Sequence, residues 1–266
     1  MNISQSEWQG LQRLNPSELK RQIFDILQKA SIAIQEGGQD DPHLLEVVPR
    51  LADLLESKPE LKGFSEALST LARASGLWNY IDKKKAAPCD LLLAESVTVP
   101  ELDGLTLHRE QVAALNDLLA GRNLILSAPT SFGKSLLIDA LLASCKYERI
   151  AIVLPTIALL DEFRRRIKRR FGRRFDLIMH PSDETVNGRP TIFLGTQERL
   201  INRTDLGRLD LTVVDEFYKL DPNRKDERNI TLNAVVSKLL NRSNQFFFLG
   251  PNIDDVRFSV DSRWKF

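Results

Sequence analysis

The sequence predicts an α/β protein in which helices flank a parallel sheet and a small all-helical domain comes first. Three observations carry this. Residues 1–100 place apolar side chains at helical spacing. From residue 102 onward short apolar runs alternate with helical stretches, the order that builds a parallel sheet with crossover helices. Residues 123–145, NLILSAPTSFGKSLLIDALLASC, pass from a β-type run through a Gly-Lys-Ser loop into an apolar helix. The expected domains are 1–100 and 101–266.

Each element has a local reason. Asn15-Pro16-Ser17-Glu18 supplies a cap, a proline in the first turn and an acid at the third helical position. Leu19, Ile23, Ile26, Leu27, Ala30 and Ile34 then recur on one helical face, and Gly37 and Gly38 end it. A second helix starts at Asp41-Pro42 and runs through Leu44, Leu45, Val48, Leu51 and Leu55, with Pro49 expected to bend or split it. A third covers 60–74 through Leu61, Phe64, Leu68 and Leu71, closed by Gly76. Leu77-Trp78-Asn79-Tyr80 reads as core aromatics, Lys83-Lys84-Lys85 as an exposed turn or linker, and 90–96 as a short helix. In the second domain the expected strands are 123–127, 150–154, 176–179, 191–194, 211–214 and 245–249. The expected helices are 109–120, 134–144, 157–170, 197–202 and 228–240.

Composition narrows the class. Hydrophobic residues make up 42% and charged residues 27%, ordinary values for a globular protein. There is no run of eighteen apolar residues and no signal-peptide pattern at the N-terminus, so membrane-spanning and secreted classes are set aside and a cytoplasmic setting is expected. Cys89 and Cys145 stand in no metal-ligand spacing, and Cys145 is expected as a buried free thiol on the apolar helix. Residues 1–100 hold 11 Lys/Arg against 14 Asp/Glu, so the basic excess lies in the second domain. Residues 164–174, RRRIKRRFGRR, place eight basic residues among eleven, either a solvated helix end or a surface for a polyanion.

The loop Ala128-Pro129-Thr130-Ser131-Phe132-Gly133-Lys134-Ser135 carries the clearest chemistry. Between a strand end and a helix N-terminus, several backbone N–H groups converge and the helix dipole adds partial positive charge. Gly133 allows close approach of an anion, Lys134 supplies charge for the β/γ-phosphates, and the Ser135 hydroxyl suits Mg²⁺. The site is expected to hold a nucleoside triphosphate with magnesium. A second acidic site follows at Asp215-Glu216, after the apolar run Leu211-Thr212-Val213-Val214. Asp215 is the expected metal residue, alongside Ser135, and Glu216 the expected general base; with Lys134 they form the expected catalytic set.

With these residues in place, the chain resembles the ATP-binding lobe of DEAD/DEAH-box helicases of superfamily 2, a RecA-like member of the P-loop NTPases. APTSFGKS is similar to the family's Walker A loop, and Leu107-His108-Arg109-Glu110-Gln111 to its adenine-reading Gln motif. Residues 153–160, VLPTIALL, resemble motif Ia and residues 195–200, GTQERL, motif Ib. The resemblance implies ATP as nucleotide, Gln111 on adenine, and Thr156, Thr196 and Arg199 on the sugar-phosphate backbone of DNA or RNA. Two departures stand out: Tyr218 where the family usually closes motif II with His or Asp, and Leu249-Gly250-Pro251-Asn252 where motif III is Ser-Ala-Thr. The family completes its ATP site with arginines from a second RecA-like lobe, which the chain is expected to lack. Slow or incomplete hydrolysis is therefore expected. The alternative readings are a P-loop ATPase of another class and an ATP-gated interaction module whose helical domain docks a protein partner.

Overall fold

The computed structural model describes residues 4–38, 42–180, 182–186, 188–221, 227–251 and 253. Asp41 and Asn252, named above at a helix start and in the motif III segment, lie outside the described residues. The chain divides into two compact units, 1–112 and 113–266, with the division inside one helix.

The first unit is helical. α1 (Gln5–Leu11) begins at a Ser4–Glu7 capping box, and α2 (Pro16–Gln35) is capped by the Asn15 side chain on the Glu18 amide. α3 (Pro42–Ser57) continues through Pro49 without splitting. Proline removes one helix hydrogen bond, but Val47, Val48, Leu51 and Leu54 bury one face in the core and outweigh that loss. The expected third helix starts as a 3-10 turn, Pro59–Phe64, before α4 (Ser65–Ala74). α5 (Pro88–Ser96) follows the lysine turn, and its buried Asp90 accepts from Arg73 Nε at 2.5 Å and the Thr70 hydroxyl at 3.0 Å. A two-residue hairpin pair, β1 (Thr98–Val99) and β2 (Leu105–Thr106), precedes α6 (Arg109–Leu119).

The second unit holds the sheet. Its strands are β3 (Leu124–Ser127), β4 (Arg149–Val153), β5 (Asp176–Ile178), β6 (Thr191–Gly195), β7 (Leu209–Asp215) and β8 (Ser243–Gly250). They are all parallel, in the order β3-β8-β7-β4-β6-β5. The crossovers run through α7 (Lys134–Ala143), α8 (Ile157–Phe171), α9 (Gln197–Ile201) and α10 (Glu227–Leu240). This is the RecA-like arrangement expected, and the strands read as near-continuous apolar runs because helices cover the sheet. Residues 150–154 are all buried, as are 191–197 and 245–250.

Cys145 departs from expectation. α7 ends at Ala143, and Cys145 takes a left-handed backbone (φ 62°) that carries it off the apolar helix and leaves it exposed. The helix therefore keeps an apolar interior without the thiol.

Candidate nucleotide site

Parallel strands with one register align their carboxyl ends, and the loops that follow them form one edge. Ser127 pairs with Gly250 across β3 and β8, and Leu249 pairs with Asp215 across β8 and β7. The loop after β3 and the acidic pair after β7 thus stand on the same sheet edge, two strands or about 10 Å apart.

The loop is built for close approach. Thr130–Phe132 forms a 3-10 turn, and Gly133 takes φ 79°, ψ 37° at the N-cap of α7 with no capping side chain. A Cβ at that φ would be strained, so glycine belongs there. The first amides of α7 at Lys134 and Ser135 face an uncapped terminus, and the Ser135 side chain is exposed. Lys134 Nζ donates to the Ala128 and Pro129 carbonyls, at 2.6 and 2.9 Å.

Asp215 is partly buried, and its Oδ1 accepts from the Glu216 amide at 2.9 Å. Burial pushes its pKa above the ordinary carboxylate range and the Glu216 charge adds to this; the Glu216 amide, Lys134 and Lys219 oppose it. That Lys134 acts on Asp215 fits the shared edge. Glu216 takes a left-handed backbone, φ 55°, ψ 43°, and is ion-paired with Lys219. For a residue with a long side chain this conformation is strained, and strain of this kind clusters at functional sites.

Several neighbours had no signal in the sequence. Phe217 stacks on Phe248 with ring centroids 6.1 Å apart, and a Cβ added at Gly250 would lie 2.8 Å from its Cε1. The motif II and motif III segments therefore touch by ring against glycine. Ser127 Oγ joins β3 to the segment after β8, donating to Pro251 O at 2.9 Å and accepting from the Ile253 amide at 2.7 Å. A cavity of about 140 Å³ lies beside Asp215, lined also by Pro155, Gln197, Lys219 and Arg228. Arg228 bridges Glu198 Oε1 and the Pro155 carbonyl, each at 3.2 Å, and so ties the motif Ia-like segment to the start of α9.

The remaining expected residues fall as follows. Thr156 is exposed at the N-cap of α8 and accepts from the Leu159 amide at 3.3 Å, and Arg199 is half-buried on α9. Thr196 is buried at the N-cap of α9. Burial raises the Glu198 pKa, but hydrogen bonds from Thr196 and Arg228 among others outweigh it and the net shift is downward. Gln111 belongs to the first unit, where its Oε1 accepts from the His108 amide at 3.1 Å.

The basic run at 164–174 is neither wholly solvated nor wholly free. Arg166 Nε and Arg170 Nη1 lie 3.1 and 2.7 Å from Oδ2 of Asp139, a residue of α7 only 1% exposed. Arg174 donates to the Leu142 carbonyl at 2.8 Å. These residues fasten α8 to the helix that starts at Lys134.

The described residues contain no helix long and apolar enough to cross a membrane and no cluster of three or more His, Cys, Asp or Glu poised to hold a metal. Among known proteins, the chain is 39% identical over 213 residues to "Anti-bacteriophage protein B" of Escherichia coli (strain K12), a match covering 76% of this chain and 29% of that protein. It thus spans under a third of that relative's length. A solved structure, "Sulfolobus solfataricus SWI2/SNF2 ATPase core in complex with dsDNA", aligns with a TM-score of 0.42 and 17% identity over 59% of this chain and 32% of that one. The DEAD/DEAH box helicase family matches residues 108–250, more than half of the chain, and the chain belongs to that family.

Proposed function

We propose that the chain binds ATP with Mg²⁺ on the carboxyl edge of its sheet and hydrolyses it as the first motor lobe of a nucleic-acid helicase. The observation that carries this reading is the common edge shared by the Lys134 loop and the Asp215-Glu216 pair. Gly133 gives the backbone approach a triphosphate needs, and Lys134 exchanges loop carbonyls for phosphate oxygens. The hydroxyl of Ser135 and the carboxylate of Asp215 are hard oxygen donors of the kind Mg²⁺ takes, with phosphate oxygens completing the set. If bound there, Mg²⁺ would supply charge to offset that of the transferring phosphoryl group. Glu216, once it releases or shares Lys219, accepts the proton of the attacking water. Gln111 reads adenine by donor and acceptor together.

Nucleic acid is held at Thr156 and Arg199 by backbone contacts that do not read sequence. Thr196, being buried, serves by setting the start of α9. Arginine supplied to the phosphoryl group by a second lobe contributes on the order of 10³- to 10⁵-fold, so supplying such a lobe in trans should raise turnover. The work takes place in the cytoplasm, the helical unit offers a surface for a protein partner, and the E. coli relative's name suggests defence against bacteriophage as the setting. The test is a pair of variants. Lys134→Ala abolishes ATP binding, whereas Glu216→Gln binds ATP and fails to hydrolyse it. If Glu216→Gln left the activity of the chain unchanged, the second reading, an ATP-gated interaction module, would replace the first; the ring-on-glycine contact at motif III is the observation that favours it.

A further inference from the structure

The structure sorts the basic run into two sets. Arg166, Arg170 and Arg174 turn inward, as described, whereas Arg164, Arg165, Lys168 and Arg169 are exposed and border one surface hollow of about 320 Å³. Their spacing puts two like-charged pairs on successive turns, about 6 Å apart along the axis. Like charges four residues apart disfavour a helix. The dipole of α8 offers a reason for cations in its last turn, where Lys168 and Arg169 stand, but none for Arg164 and Arg165 in the turns before it. Asp161 partly offsets this, with its carboxylate 3.6 Å from Arg164 and its carbonyl accepting from Arg165 Nε at 3.3 Å, while Glu162 is 3.8 Å from the inward Arg166.

A second observation links this face to the nucleic-acid residues. A groove of about 520 Å³ between α8 and the edge strand β5 is lined by Arg164 and Lys168 along its side and by Ile157, His180 and Arg199. Ile157 and Arg199 belong to the two helices whose starts are proposed to hold the backbone. Two aspartates in the groove have partners, Asp176 through Oδ1 with Arg189 at 2.8 Å, its Oδ2 being buried without a hydrogen bond, and Asp183 with the Met179 and His180 amides, both at 2.8 Å. The third, Asp161, is the partner of Arg164.

We propose that the exposed face of α8 is a second nucleic-acid contact, in which Arg164, Arg165, Lys168 and Arg169 hold the phosphodiester backbone beyond the segment held at Thr156 and Arg199. The groove joins the two segments. This rests on the reading that the lobe binds nucleic acid. The four side chains include no aromatic ring for a base to stack on, so binding is electrostatic and indifferent to sequence.

The experiment is fluorescence anisotropy of the full chain with a labelled duplex carrying a single-stranded tail, titrated at several salt concentrations. Changing Arg164, Arg165, Lys168 and Arg169 together to Gln should weaken binding and flatten the slope of log affinity against log salt by roughly 3 to 4, close to 0.9 per phosphate contact. The charge-keeping set Arg164→Lys, Arg165→Lys, Lys168→Arg and Arg169→Lys should bind as wild type. If the fourfold Gln chain fails to fold by circular dichroism, the double variant Lys168→Gln/Arg169→Gln should flatten the slope by roughly 2. Wild-type affinity and slope in the Gln variants, beside lost binding in Thr156→Ala/Arg199→Ala, would overturn the inference and leave the motor reading standing. Loss of binding to polyglutamate or anionic vesicles, with nucleic acid unaffected, would also overturn it. A wild-type chain that binds no nucleic acid at low salt would remove both.

Discussion

Asp139 offers the sharpest test of how the lobe is held together. Its carboxylate, 1% exposed, faces Arg166 and Arg170, whose side chains are 18% and 21% exposed. Burial pushes its pKa up, opposed by the charges and hydrogen bonds of both arginines. The group therefore holds its proton to higher pH in the folded than in the unfolded chain. Its ionisation takes stability away as pH rises through that window, so the carboxylate is no net source of stability at neutral pH. What matters is the pair it leaves behind. Asp139→Ala removes the most buried partner of two guanidinium groups that are mostly out of water, although Arg166 keeps Glu162 at 3.8 Å and the Phe163 ring, and removing one partner of a buried pair costs about 3 to 5 kcal/mol. Water reaches part of both arginines, which argues for the lower figure, about 3 kcal/mol. With a urea slope of about 2 kcal/mol/M, the midpoint should fall by about 1.5 M. Hydrogen exchange at the amides of β4 and α7 reads this locally in the second unit. The companion variant Asp139→Leu/Arg166→Met/Arg170→Met should recover most of the loss, because apolar replacement of a whole buried ionic group is often neutral. A shift below about 0.5 kcal/mol for Asp139→Ala, or a triple variant less stable than the single one, would refute the reasoning.

Other expectations follow from the same geometry. Gly250→Ala puts a Cβ 2.8 Å from the Phe217 ring and should cost about 1 to 3 kcal/mol, read as a lowered unfolding midpoint; an unchanged midpoint would show that the ring moves freely. Asp215→Asn removes a carboxylate whose pKa burial raises, so without nucleotide it should stabilise the chain at neutral pH, with the gain fading as pH falls through the raised folded pKa and gone below about pH 4, and thermal unfolding across pH checks the sign. Tyr147, buried with its hydroxyl 2.9 Å from both the Leu118 carbonyl and Gln245 Oε1, has its pKa pushed up to about 12, chiefly by burial. Its Phe variant should lose about 1 to 2 kcal/mol, measured by urea unfolding. Gln111→Ala should erase any preference of ATP over GTP in a competition assay while leaving triphosphate affinity otherwise intact.

The sheet was legible because strands covered on both faces must be apolar along their whole length, and all six expected strands are found within two residues of their observed ends. The turn from β3 into α7 was legible because a loop between a β-type run and an apolar helical run needs a residue such as Gly133 that accepts a left-handed backbone. The short pieces were not. A two-residue strand such as β1 has no periodicity to read, and α1 depends on its Ser4–Glu7 box and on the burial of Trp8 and Leu11. Asp139 was hidden for another reason: one acid in an apolar helix carries no pattern, and its meaning comes from arginines 27 and 31 residues away. Phe217 against Gly250 is likewise a long-range fit, visible only once β7 and β8 lie side by side.

The left-handed backbone at Glu216 sets a trap for evolution. A glycine in its place would sit at ease in that conformation, so the change that deletes the proposed proton acceptor is also one that relaxes the chain. Selection for sturdiness alone would drift toward a quiet ATP sensor. Keeping a glutamate there is therefore a recurring cost, sustained only while turnover itself is worth having.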